Sequence, residues 1–414
     1  MSIFSHSTES NNTKGFNMSN ITFTMLGLSG TGKTHACKSL FYMMERDKSD
    51  HKIYLTATGD TVQEKLQNMH FIRNYAPDTR DQFTCSGTEG VWELPLALCI
   101  GYRQGLPTWP ILNVPIRDYA GGIVQTIASG MRDDVDYERK MNAENLMNAI
   151  LSSDVLMLLA DANILSEEAG PNGSLDKIKD ALARDINNIF MSYVETKDSE
   201  FTRRQRTVIL MLTKCDSNLI PEELSADDFQ GLMARAVTVF GSIVRVCEQN
   251  NWPFAIVPTS ACGNGNSYTR REDFGRYEST LDPSCGMQPY GFDLAFLYGL
   301  MSELQYRAAN KIDDSAEIYN TEQMSREQRA TVNKTSRKEQ EAKWKLYRET
   351  AQYLQNHLES LLNAPNGSYI LHERSNTFFE RADTDEEAVE PYGQNNVMNS
   401  VRDGISKVKA WFQR

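Results

Sequence analysis

Gly27, Gly32, Lys33 and Thr34 complete a Gly-x-x-x-x-Gly-Lys-Thr pattern, and the chemistry that this spacing serves is the binding of phosphate. A loop that wraps its backbone N–H groups around phosphate oxygens needs glycines, which tolerate the required dihedrals and let the ligand come close. The helix that follows turns its positive N-terminal end toward the same anion. Lys33 would reach the β- and γ-phosphates of a nucleotide, and the Thr34 hydroxyl would ligate Mg²⁺. The expected contact surface is Gly27 together with Ser29, Gly30, Thr31, Gly32, Lys33, Thr34 and His35. The pattern alone does not separate GTP from ATP.

The elements around this loop read as an alternation of strand and helix. The run ITFTMLGLSGTGKT is a strand ending in the loop, and a helix follows to about Glu45. Short Val-, Ile- and Leu-rich runs recur at Ile111–Ile116, Asp154–Leu159, Thr207–Leu212 and Phe254–Val257, without the alternation of a half-exposed strand. Such runs suit parallel strands buried on both faces. Leu175, Ile178, Leu182, Ile186, Ile189 and Tyr193 step by three and four, as does the stretch Phe229–Cys247, and a last helix covers Phe292–Ala308. The expected fold is α/β: a doubly wound, mostly parallel sheet with an α-helical C-terminal extension. Val91–Ile116, punctuated by Pro95, Gly101, Gly105 and Pro107, is expected to hold an antiparallel edge hairpin.

Three further segments follow the phosphate loop in order, and with them the sequence resembles the Ras-like P-loop GTPases over about residues 21–308. Asp118-Tyr119-Ala120-Gly121 matches that family's Asp-x-x-Gly element. The resemblance implies that Asp118 holds Mg²⁺ through a water and that the Gly121 N–H meets the γ-phosphate. Thr213-Lys214-Cys215-Asp216 looks like the Asn/Thr-Lys-x-Asp motif. It implies that Asp216 accepts from guanine N1–H and the 2-amino group while the stem of Lys214 lies along the base. Adenine would leave that carboxylate unpaired, and sites built this way reject the wrong analogue by roughly 10⁴ or more. Thr259-Ser260-Ala261-Cys262 resembles the Ser-Ala-Lys loop, whose backbone N–H near Ala261 would read guanine O6; Cys262 stands where that lysine is usual. The insertion before this last motif and the appended tail are similar in flavour to bacterial double-GTPase and conflict-system GTPases.

Two family features have no clear counterpart. The threonine that senses the γ-phosphate and ligates Mg²⁺ is expected at Thr88, with Thr84 the alternative. The residue after Gly121 is Gly122, where many relatives carry a water-orienting glutamine, so hydrolysis is expected to be slow or assisted by a partner or another part of the chain. Gln125 and Arg117 lie close in sequence without an assigned role. The catalytic set implied is thus Lys33, Gly121 and Thr88; the metal set is Thr34, Asp118 and Thr88; and the cofactors are GTP or GDP with Mg²⁺.

Beyond residue 310 the composition turns to Glu, Lys, Arg and Gln. Trp344, Tyr347, Ala351, Leu354, Leu358 and Leu361 form a short heptad seam, which either folds back onto the core or meets a second copy or a protein partner. The expected organisation is a flexible leader over 1–20, a nucleotide domain over 21–310, a coiled-coil-like extension over 311–364, and a linker with a terminal amphipathic helix over 365–414.

Composition excludes several classes. A net charge of −12 argues against broad attraction to nucleic acid or anionic lipid. The seven cysteines form no Cys-x-x-Cys pair and share no ligand spacing with the six histidines, which fits a reducing cytoplasm better than a disulfide or zinc framework. No apolar run is long enough to span a bilayer. A P-loop ATPase and a non-hydrolysing nucleotide-bound scaffold stay open beside the GTPase reading.

Overall fold

The structure is a computed structural model. It describes residues 20–44, 53–59, 91–100, 110–119, 121–128, 137–194, 204–221, 229–263, 266–271, 277–281, 288–312 and 326–362, with single positions at 63, 64, 67 and 224. The leader, Thr84, Thr88 and the terminal helix expected near 397–412 lie outside the described residues.

Strand β1 (Phe23–Leu26) runs into the glycine loop and then helix α1 (Lys33–Met43). Strand β2 (Ile53–Ala57) follows, then β3 (Val91–Leu94), β4 (Leu96–Ile100), β5 (Pro110–Asn113) and β6 (Ile116–Tyr119). The run Ile111–Ile116, expected as one strand, is therefore split between two. Pro115 cannot donate to a ladder, and its carbonyl instead accepts from Phe23 N at 3.0 Å. Pro95 breaks the partner limb at the same level. The expected hairpin exists, but it bends at these prolines and serves two sheets. β3 pairs antiparallel with β6 in one, while β4 joins β2 and β5 in a separate three-stranded antiparallel sheet.

Helices α2 (Gly121–Ala128) and α3 (Tyr137–Ser152) lead to β7 (Val155–Asp161) and the short α4 (Ala162–Leu165). The long amphipathic stretch after residue 175 divides into α5 (Asp176–Leu182) and α6 (Arg184–Val194). β8 (Thr207–Thr213) precedes α7 (Phe229–Val239), α8 (Gly241–Asn250) and β9 (Phe254–Pro258). The main sheet has the order β3-β6-β1-β7-β8-β9, parallel throughout except for β3. Every residue of β7, β8 and β9 is buried, which explains their unbroken apolar runs. The fold is an α/β architecture with a mostly parallel sheet.

A hairpin of β10 (Ser267–Arg271) and β11 (Tyr277–Leu281) follows, then α9 (Phe292–Asn310) and α10 (Arg326–Leu362). α9 is buried on nearly every side from Phe292 to Leu304, as expected of a helix sandwiched between two layers. Phe296 stacks on Phe23 of β1 with ring centroids 4.7 Å apart, while α10 packs along the other side. Tyr347, Ala351, Leu354 and Leu358 of the heptad seam join the same core, and Trp344 Nε1 donates to the Ile312 carbonyl at 3.0 Å. Burying each large apolar side chain of this kind contributes roughly 1.5–3 kcal/mol, so α10 supplies a sizeable part of the net stability of the fold.

The end of the sheet away from the glycine loop is closed by charge. Asp154 and Glu303 are almost fully buried. Arg307 reaches Asp154 at 3.0 Å and Glu303 at 2.7 Å, and Arg204 contacts both acids. Burial, together with the charge of Asp154, lifts the Glu303 carboxyl to about 7 against the pull of the two arginines. Arg206 lies beneath the C-terminal end of α3 and donates to the Ile150, Leu151 and Ser153 carbonyls, supplying the cation that the helix's own last turn lacks. Among the described residues, no helix is long and apolar enough to cross a membrane. The described cysteines Cys37, Cys99, Cys215, Cys247 and Cys262 are buried thiols, and none of them forms a disulfide.

Candidate nucleotide-binding site

β1 is central, and the chain leaves it toward β6 on one side and β7 on the other, so the loop after β1 lies where the strand order reverses. In open parallel sheets, ligands bind outside the carboxyl ends of the strands at such a point. All four segments singled out in the sequence lie at carboxyl ends of strands of this one sheet, with β7 between the two pairs: Gly27–Thr34 after β1, Asp118–Gly121 at β6, Thr213–Asp216 at β8, and Thr259–Cys262 after β9.

The glycine loop has the backbone that its sequence calls for. Gly30 and Gly32 hold φ values of 82° and 88°, and Gly32 stands at the N-cap of α1 without a side-chain cap. The first-turn N–H groups thus face the loop rather than a capping oxygen. Ser29 and Gly30 are exposed, Thr31 is buried, and Gly32, Thr34 and His35 are half-buried. Thr31 Oγ1 donates to the Leu28 carbonyl at 2.9 Å, tightening the turn. Lys33 Nζ curls back to donate to the Gly27 and Leu28 carbonyls at 2.8 and 3.0 Å. Burial lowers the pKa of this ammonium below its usual value, while the Asp118 carboxylate pulls the other way.

Asp118 is fully buried at the end of β6. Its Oδ2 accepts from Thr34 Oγ1 at 2.8 Å. A hydroxyl and a carboxylate meeting beside an anion-facing helix end form a hard-oxygen donor pair, which fits Mg²⁺. Gly121 packs against the glycine loop so closely that an added Cβ would lie 2.2 Å from Ser29 N and 2.6 Å from Leu28 C. Gly122 is exposed, with nothing within 4 Å of the corresponding position. Arg117 is tied to Glu93 and Ser152, each at 2.8 Å. The Gln125 side chain is outside the described residues.

The other half of the site meets the first where Thr213 Oγ1 donates to the Thr31 carbonyl at 2.9 Å. Lys214, at φ 61°, extends to Asp161 Oδ2 at 2.6 Å. Cys215 N donates to the Thr259 carbonyl, and Thr259 N to the Leu212 carbonyl, locking the loops after β8 and β9 together. Ser260 is buried, Ala261 is half-buried, and Ser260 Oγ accepts from Cys262 N at 3.1 Å and Gly263 N at 2.8 Å. Burial first, and then the charge of Asp216, raise the Cys262 thiol well above its usual range. It stands beside Asp216 as a neutral wall.

Three residues of this half were not anticipated. Asp161, Asn218 and Ser267 make the contacts that hold Lys214, the loop after β8, and Asp216 in place. None of the three belongs to a motif: Lys214 Nζ donates to Asp161 Oδ2, Thr269 N donates to Asn218 Oδ1, and Ser267 Oγ donates to Asp216 Oδ2.

Neither a protein-family model nor a curated protein matches the chain. Among solved structures it is similar to the GTPase-like domain of Ski7 from S. cerevisiae bound to GTP, at 16% identity and TM-score 0.28, over 61% of this chain and 45% of that one. The same domain bound to GDP and inorganic phosphate aligns at 18% identity and TM-score 0.28, over 59% of this chain and 44% of that one. The alignment thus spans less than half of either Ski7 chain.

Proposed function

We propose that the chain binds guanine nucleotides with Mg²⁺ and acts as a slow GTPase switch. The observation that supports this reading is the convergence of the four loops at the carboxyl end of one sheet. Lys33, Thr34, Asp118 and Gly121 lie on the phosphate side, Lys214, Asp216 and Cys262 on the base side, and the Thr213–Thr31 hydrogen bond joins the halves. Lys33 exchanges its carbonyl partners for β- and γ-phosphate oxygens. Thr34 and Asp118 hold Mg²⁺, which neutralises phosphate charge when bound. Gly121 brings its N–H to the γ-phosphate, so GTP draws the segment after β6 inward and hydrolysis releases it. Asp216 accepts from the guanine edge, with the loop at Ala261 beside O6. The kinship with bacterial double-GTPases belongs to the same proposal, as do a role for Thr88 and a cytoplasmic location.

The test is competition against a fluorescent GDP probe in the presence of Mg²⁺. Unlabelled GTP should displace the probe at least about a hundredfold better than ATP, and Asp216→Ala should erase that preference. Equal competition by ATP and GTP in the wild type would sink the guanine reading. Because Gly122 offers no side chain to orient water, single-turnover hydrolysis by the purified chain should be slow, at or below roughly 10⁻⁴ s⁻¹, the order reached by unassisted switch GTPases that carry the glutamine. Fast unaided cleavage would instead require a water-positioning group elsewhere in the chain.

A further inference from the structure

We propose that Ser267, carried on the β10–β11 hairpin, is the positioning residue that orients Asp216 and so sets base preference. The proposal rests on the guanine reading above. A carboxylate can accept from N1–H and a 2-amino group together only when its plane lies near that of the base, and the terminal torsion of aspartate is broad unless something holds it. Ser267 Oγ donates to Asp216 Oδ2 at 2.7 Å. A carboxylate offers about four acceptor positions, so one hydroxyl fixes its plane without using up its capacity.

The serine inside the motif is engaged elsewhere. Ser260 Oγ accepts from two backbone N–H groups of its own turn. The side chain that steadies Asp216 therefore comes from outside the four motifs, on a hairpin held in register with the same loop. Thr269 N donates to Asn218 Oδ1 at 2.7 Å, two residues beyond Asp216. At its far side the hairpin is fastened separately: Tyr277 Oη donates to Glu167 Oε1 at 2.6 Å, and Arg271 reaches the same oxygen at 3.2 Å. Its root is fixed too, because Gly263 sits at φ 90° with the Gln288 carbonyl 2.5 Å from where a Cβ would be. The hairpin thus delivers the Ser267 hydroxyl to the Asp216 carboxylate, beside the Cys262 thiol, with independent anchors on either side.

The chemistry selected is a purine with donors at both N1 and C2. Inosine diphosphate, which keeps N1–H and lacks the 2-amino group, is the sensitive comparison. The full chain would be assayed for Kd toward GDP, inosine diphosphate and ADP by displacement of a fluorescent GDP probe. Ser267→Ala is expected to lower the GDP-over-inosine-diphosphate preference about five- to tenfold, the worth of one ordinary hydrogen bond, because the serine orients the carboxylate and does not itself meet the base, with ADP affinity unchanged. Ser267→Thr keeps the hydroxyl and should restore most of the preference. Tyr277→Phe loosens the far anchor without touching Asp216 and should leave it at the wild-type value. A wild-type preference in Ser267→Ala would overturn the proposal, as would an equal loss in Tyr277→Phe, which would assign the effect to general rigidity of the hairpin. A wild type with no preference for GDP over ADP would be a different failure, removing the guanine reading itself and this role with it.

Discussion

Replacing Lys33 by methionine is expected to cut GTP affinity roughly 10²- to 10³-fold while the fold survives. In the structure the ammonium is held by the Gly27 and Leu28 carbonyls, and Lys33 as a whole is only 8% exposed. Turning to phosphate replaces two bonds to neutral carbonyls with two to charged oxygens. Hydrogen bonds to charged groups contribute about 1.5–3 kcal/mol each, and the low end applies because existing partners are given up. Two such bonds, at about 1.5–2 kcal/mol each, give the stated factor. Methionine keeps the length and apolar body of the stem, so the wall of the loop stays filled.

A pH signature accompanies this change. Burial lowers the Lys33 pKa from 10.5, so between the lowered value and 10.5 the folded, nucleotide-free chain binds fewer protons than the unfolded one. Stability contributed by this group therefore rises with pH across that window, and below it the cost of burying the charge is fully present. The melting temperature of Lys33→Met should exceed that of the wild type most near neutrality, and the gap should shrink as pH climbs toward 10.5. A Lys33→Met chain that binds GTP within tenfold of wild type would show that this amine does not meet phosphate.

The second large effect separates two adjacent glycines. Gly121→Ala should abolish the difference between GTP and GDP affinity and lower stability by about 1–3 kcal/mol, the usual cost of forcing a methyl into a packed site. The added carbon would sit 2.2 Å from Ser29 N and 2.5 Å from Ser29 Cα, backbone atoms that cannot rotate aside. Relief requires the segment after β6 to retreat by about an ångström from the loop it covers, carrying away the N–H meant for the γ-phosphate and disturbing the Thr34–Asp118 contact. Gly122→Ala meets nothing within 4 Å and lies in the first turn of α2, where alanine favours the helix. Its binding should match the wild type within error, and its stability should equal or exceed the wild type by up to about 1 kcal/mol. Nucleotide titration and chemical denaturation of the two variants side by side are decisive: similar behaviour of the pair would mean that the close approach at Gly121 is not what couples this segment to the phosphate loop.

The glycine loop proposed to bind phosphate was legible because that chemistry would dictate residue types. Positive φ at positions 30 and 32 favours glycine, and the order of Gly32, Lys33 and Thr34 is what suggests the roles proposed for them. The parallel strands were legible because burial on both faces demands unbroken apolar runs. What escaped the reading was set by tertiary contact. Ser-Tyr-Thr-Arg-Arg of β10 buries only Thr269, so neither its apolar content nor its period marked a strand. Nothing local distinguishes Ser267 from any loop serine. α3 went unread although Ala143, Leu146, Ala149 and Ile150 recur at helical steps, because its overall character is polar. The seam from Tyr347 to Leu358 was visible, but a heptad pattern states only that one face must be covered. It does not say that the cover is α9 of the same chain.

That cover has a consequence for the order in which the molecule is made. Synthesis runs from the phosphate loop toward α10, so every residue of the four motifs has emerged while α9 still lacks its outer neighbour. Phe292 to Leu304 then form an oily strip that must wait, shielded or at risk of sticking, until Tyr347, Leu354 and Leu358 follow. The chemistry is written early in the chain, while the seal that lets it persist arrives late.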